Sequence, residues 1–231
     1  EKFATVTGKG FRPNRIALGA WRWPCALFVL IVPLSLVAPL SIMLWASFTP
    51  TYVGAAWSDT ANMSLANYAA LFGRGDVVNG AWNSLVIGVS AAAIVSLGAF
   101  ALSWIVVRGR TRARFFIDAI CSAPLVFPAI VMAVAMLEIF LNQPLPLYGT
   151  LTSIIIASAI HYLPYGMRYA YAGVLQIHRE LEEAAAMAGA RQATIFLRVV
   201  TPLIAPALVA GGLFVFLIAA KAVSIPILLS G

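Results

Sequence analysis

Five long apolar runs divide this chain, at residues 24–48, 80–107, 117–141, 148–173 and 202–220, with polar and turn-forming stretches between them. At about 1.5 Å per helical residue, runs of this length cross the roughly 30 Å hydrocarbon core of a bilayer. Pro33 and Pro39 lie inside the first run and predict kinks whose freed carbonyls neighbouring helices can satisfy. On the second run Gly88, Ala92, Ser96, Ala99 and Ser103 recur at helical spacing and form a small-residue face, which lets helices approach closely in lipid. Pro124 and Pro128 interrupt the third run, and Pro164 with Gly166 is expected to break the inner half of the fourth. Trp21, Trp23 and Trp45 mark the membrane interfaces of the first run. Within the polar stretch 49–78, Leu65, Tyr68 and Leu71 predict a short amphipathic helix lying on the membrane. Residues 142–147 read as a tight turn, and 221–231 as a short tail.

Composition sharpens this pattern. The 231 residues are 62% hydrophobic and 10% charged, against about 25% charged in soluble domains. A water-soluble core of this size could not hide so much apolar surface. The fold class is therefore an all-α polytopic membrane protein whose first partner is the lipid bilayer. The net charge of +7 could point to nucleic acid, but its distribution points elsewhere. All Lys and Arg except Arg74 and Lys221 fall before the first run, in 108–116, or in 168–198. These segments lie on one side of the spans, and the positive-inside rule makes that side, with the N-terminus, cytoplasmic.

The chemistry of catalysis is missing from the sequence. Gly8-Lys9 does not meet the spacing of a phosphate-binding loop, and no H-E-x-x-H or nucleophile triad stands out. No catalytic residue, metal site or cofactor is expected. Cys25 and Cys121 lie in apolar runs and read as small buried hydrophobes.

One polar hairpin, residues 180–202, separates the last two runs. Glu180, Glu182 and Glu183 open a short helix, where acids favour the positive end. Ala184, Ala185, Ala186 and Ala188 continue it with little bulk. Gly189 permits a turn, Arg191 to Arg198 resume a helix, and Pro202 stands at the entrance of the next run. A small alanine surface flanked by charges can accept another protein's side chains, and a plain surface hairpin is the alternative.

Glu183-Ala184-Ala185, three residues, Gly189, nine residues, then Val199-Val200-Thr201-Pro202 resembles the EAA loop of binding-protein-dependent ABC importer permeases. The family pattern ends Ile-x-Leu-Pro, so Val199 and Thr201 depart from it. The flanks 163–168 and 175–181, the Asn83-Ser84 pair and the 7–13 segment resemble the ferric-iron type, the last as a linker between the halves of fused permeases. The resemblance implies a cytoplasmic basic linker at 1–23, a first span and periplasmic loop at 24–78, and the importer transmembrane domain at 79–231. It implies cytoplasmic ABC ATPase subunits, a second permease half and a periplasmic substrate-binding protein as partners, in a bacterial inner membrane. The EAA loop would dock the ATPase, with Glu182, Glu183, Ala184, Ala185, Gly189 and Pro202 as coupling residues. The family follows this loop with two spans, so a sixth span is expected beyond Gly231, and the chain is expected to be part of something longer.

Inside the spans the candidates are few. Tyr162, Tyr165 and Tyr169 share one helical face, and with His161 their phenols read as ferric ligands or as interface and packing residues; Tyr162, Tyr165 and Glu138 are the translocation-path candidates. Glu138 lies near the outer end of the third run and can reach water. The cargo implied by the resemblance is ferric iron, with phosphonate, thiamine and polyamines left open. The rival function is a secondary transporter, which needs coupling-ion residues within the spans. A membrane receptor or scaffold would need a large soluble domain.

Overall fold

Lipid offers the backbone no hydrogen bonds, so apolar runs fold as helices that satisfy their own peptide groups. The structure, a computed structural model, describes residues 18–49, 63–109, 112–142 and 147–230. Among these every regular element is helical. Most of the basic linker at 1–23, much of the loop at 49–78 and most of the turn at 142–147 lie outside the described residues.

The described residues divide into two units, 18–80 and 81–230. In the first, α1 (Arg22–Ser47) runs through both Pro33 and Pro39. The expected short helix is α2 (Ala66–Phe72). Tyr68 and Ser47 share a hydrogen bond of 2.7 Å between their hydroxyls. Asn67 Nδ2 donates to the carbonyls of Ser47 and Thr49 at 3.1 and 2.8 Å, satisfying acceptors that the end of α1 leaves open.

The second unit is a bundle. The long helix α3 (Gly75–Arg108), which begins just before it, packs against α6 (Leu151–Gln176) and α9 (Thr201–Ala220). Gly88, Ala92, Ala99 and Ser103 are buried on α3 and Ser96 is half-buried, so the small-residue face is the packing face. A Cβ on Gly88 would meet the Phe216 ring at 2.9 Å. On α6 the same device recurs: a Cβ on Gly166 would collide with Val95 Cγ1, and one on Gly173 would meet Ile204 Cγ1 at 2.7 Å.

The third apolar run is not a straight span. It folds as α4 (Ala113–Ser122), a 3-10 turn at Ala123–Val126, and α5 (Ala129–Asn142), and its two arms bend by 109°. Phe127 stands at the break with φ −98° and ψ 134°, the extended conformation that a following proline imposes. The 14 residues of α5 reach about 21 Å, short of the roughly 30 Å apolar core.

The fourth run differs in the opposite sense. Pro164 and Gly166 do not break α6, which runs unbroken from Leu151 to Gln176. Both residues are buried, so neighbouring helices hold the proline turn in place, and the glycine serves close packing. The helix carries Ser153, Ser158, His161 and Arg168 and is less apolar than α3, α5 and α9. Among the described residues only α1, α3 and the 29-residue helix Gln192–Ala220 are both long and apolar enough to cross a membrane alone, and the bent pair counts as a fourth if it is taken as one span. At 26 residues α6 is about 39 Å long, and enclosure by the bundle relieves it of the need for an apolar circumference. The tail forms α10 (Ser224–Leu229), whose Ile225 and Leu229 are buried with Phe140 and Ile154.

Candidate functional site

At the end of the bundle, where α3 and α6 stop, the polar hairpin forms α7 (Arg179–Met187). Glu180 and Glu182 sit in its first turn, where the helix dipole favours acids. Its C-terminus closes as a Schellman motif: Gly189 N donates to Ala186 O at 2.9 Å, and Ala190 N to Ala185 O at 3.0 Å. Gly189 takes φ +87°, the left-handed conformation that this closure needs and that residues with Cβ avoid. Nothing lies within 4 Å of where its Cβ would be, so the requirement is one of backbone conformation alone.

The two neighbouring glutamates differ in surroundings. Glu182 turns inward, and Arg108 Nε donates to its Oε1 at 2.7 Å with both side chains 14% exposed. Ala185 packs beside it against the cluster of Phe100, Val174, Ile177 and Ile195. Glu183 and Ala184 are exposed with Met187, which is 89% exposed. Thus the residues expected to act together divide. Glu182 and Ala185 attach α7 to its own bundle, and Glu183, Ala184 and Met187 form the free face.

Beyond the turn, the second arm and the fifth apolar run merge. α8 (Gln192–Thr194), a π-helical stretch at Ile195–Val200 and α9 form one helix, Gln192–Ala220. Pro202 lies at its second α9 position and does not end it. Proline cannot donate to the carbonyl four residues back. The wide register accommodates this: both the backbone N–H of Thr201 and its Oγ1, the latter at 2.7 Å, donate to Phe196 O. Thr201, which departs from the family pattern, therefore has a local use. Phe196 stacks on Phe100 at 4.4 Å and meets Trp104 edge-on at 5.0 Å, tying the stretch to α3. Pro202 itself is exposed.

The remaining candidates stand apart from this site. Tyr162 is buried among α3 and α9, 6.3 Å from the Tyr165 ring. Tyr165 and Tyr169 each lie 5.7 Å from Phe214, and His161 meets Tyr162 edge-on at 4.9 Å. Among the described residues no group of three His, Cys, Asp or Glu side chains could hold a metal ion. Glu138 is exposed near the end of α5 and accepts from Asn142 Nδ2 at 2.7 Å. Arg108 was legible only as one charge in a basic loop, because its partner lies 74 residues away. No local spacing could have marked it.

The architecture has known counterparts. A chain of the alginate-importing bacterial ABC transporter superposes with a TM-score of 0.58 at 20% identity, covering 90% of this chain and 74% of that one. A chain of the inward-facing MetNI methionine ABC transporter superposes with a TM-score of 0.54 at 19% identity, covering 68% and 73%. The fold is thus that of ABC transporter membrane subunits. Residues 94–231 match the family of binding-protein-dependent transport system inner membrane components, and the chain belongs to that family. The ferric transport system permease protein FbpB of Actinobacillus pleuropneumoniae is 30% identical over 214 residues, covering 90% of this chain and 30% of the relative. The chain thus spans about a third of that relative's length. The spermidine/putrescine transport system permease protein PotC of Haemophilus influenzae is 26% identical over 204 residues, covering 88% and 77%.

Proposed function

We propose that this chain is a permease half of an ATP-driven importer, with α7 as the docking helix for a cytoplasmic ABC ATPase subunit. The observation that carries this reading is the free face of α7, with Glu183, Ala184 and Met187 presented on a glycine-closed turn at the bundle's end. Alanines leave a shallow surface, Met187 supplies an apolar knob, and Glu183 supplies a charge that a basic residue of the partner can meet. ATP hydrolysis belongs to that partner. A second permease half and a periplasmic substrate-binding protein complete the assembly. Ferric iron is the cargo that the 30% relative's name supports, while the polyamine-transport relative keeps that class open. Of the pathway candidates we retain Tyr165, half-buried and set against Phe214. Glu138 lies at a helix end, and Tyr162 serves packing.

Purifying the tagged full-length protein from native membranes is expected to bring down an ATPase. Ala184→Trp, which adds bulk to an exposed position, should lose that partner while keeping its level in the membrane. A preparation without any ATPase removes the importer reading and favours a secondary transporter.

The orientation is tested separately. On the strength of the basic-residue distribution, the N-terminus and α7 are proposed to lie in the cytoplasm, and Arg74, exposed in its pair with Asp76, outside. An impermeant maleimide on intact spheroplasts is expected to label Arg74→Cys and spare Met187→Cys. Labelling of Met187→Cys alone reverses the topology.

A further inference from the structure

Among the residues of α7 none is fully buried, so apolar packing alone does little to fix the helix on the bundle. Its only inward groups are the small Ala185 and the Glu182 carboxylate. Arg108, the last residue of α3, meets that carboxylate at 2.7 Å. The same guanidinium donates through Nη2 to Ile177 O at 2.8 Å and to Val174 O at 3.5 Å. Those carbonyls belong to the end of α6, where helical acceptors run short of backbone donors; Val174 O also accepts from the Ile177 N–H at 3.2 Å. One planar cation therefore joins the end of α3, the end of α6 and the first turns of α7. Arg179, at the start of α7, returns the tie by donating to Val107 O at 3.3 Å. A fork of this geometry suits Arg and not Lys.

We propose that Arg108 is a positioning residue, and that its pair with Glu182 makes α3 and α7 move as one body. The long helix α3, which packs against α6 and α9, would then be displaced directly when a partner moves α7. This role rests on the permease reading above, in which the partner is the ATPase. The two adjacent glutamates then divide the work: Glu183 faces the partner and Glu182 the bundle.

The physical reason is that the pair is largely withdrawn from water. Removing one member leaves the other charge partly desolvated and without a partner, which favours release of the helix into solvent. Coupling between two sites of a protein is commonly worth about 5- to 150-fold. A loss of about tenfold in solute transported per ATP is expected when the brace is cut.

The test uses the full-length protein in its complex, with Cys25→Ser and Cys121→Ala, and spin labels at Leu97→Cys on α3 and Ala188→Cys at the end of α7. Electron–electron distances between the labels are expected to be narrowly distributed with the native pair and broad in Arg108→Ala and Glu182→Gln. The Arg108→Glu, Glu182→Arg double variant should recover part of the narrow distribution, and Arg108→Lys less of it than native Arg. Glu182→Gln keeps shape and size, so it remains informative if Arg108→Ala fails to assemble. In the same samples, transport per ATP should fall in Glu182→Gln while the ATPase stays bound. A distance distribution unchanged in both single variants overturns the brace. Native distances in the unmodified protein together with transport that ignores ATP would instead overturn the permease reading and leave the brace standing.

Discussion

Gly189→Pro is expected to abolish solute uptake while the protein still reaches the membrane. Proline fixes φ near −65°, whereas this position takes φ +87°. It also removes the N–H that Gly189 donates to Ala186 O at 2.9 Å. The Schellman closure cannot form, so Ala185 and Ala186 lose their partners and α7 no longer returns toward Gln192. Gly189→Val keeps the N–H but places a β-branched residue in a left-handed conformation, where an L-residue costs roughly 1–2 kcal/mol and a branched one more. Gly189→Ala should be the mildest, because nothing crowds its Cβ. The order native, Ala, Val, Pro in substrate-stimulated ATPase activity of the reconstituted complex checks the argument. Activity in the proline variant equal to native removes Gly189 from the coupling role.

Gly166→Leu should produce the largest loss of stability of any single change considered. A Cβ at Gly166 collides with Val95 Cγ1 and lies 3.3 Å from Ala99 Cβ, and Val95 O is only 3.5 Å away. Both α3 residues are fully buried, so neither has room to yield. Overpacking a tight core commonly costs about 1–3 kcal/mol, and here a backbone oxygen stands behind the side chain. Either α3 moves away from α6 or the α6 helix shifts along it. The expected result is a melting temperature in detergent lowered by several degrees and less folded protein in the membrane. The comparison is Gly98→Leu, on the same α3, where nothing lies within 4 Å of a Cβ. Equal effects of the two substitutions would show that the α3–α6 contact is not the tight one.

The two glycines show how differently parts of this molecule can be read. Gly189 was legible because its demand is local. Alanines before it, a resumed helix after it and the spacing to Pro202 leave few backbone routes. The apolar runs, the short helix at Leu65–Leu71 and the small-residue face of α3 were legible for the same reason, since periodicity and composition act along a single element. Gly166 was misread. Next to Pro164 it signals a break, and only the buried approach of α3 turns both residues into parts of an unbroken helix.

By itself the sequence determined a membrane-spanning all-helical chain, the place of its polar hairpin, and the family to which that hairpin's spacing belongs. Tertiary structure alone decided the rest. It bent the third run by 109° at Phe127 and Pro128. It joined the hairpin's second arm to the following run through a π-helical register. It also turned Glu182 toward Arg108 and left Glu183 outside. Neighbouring residues on a helix differ by about 100° in direction, so two adjacent glutamates look equivalent until something stands on one side of them. What stands there is an arginine 74 positions earlier in the chain, brought close by the packing of α3 on α6. Its effect on α7 is electrostatic and short-ranged, and it leaves no trace in local pattern.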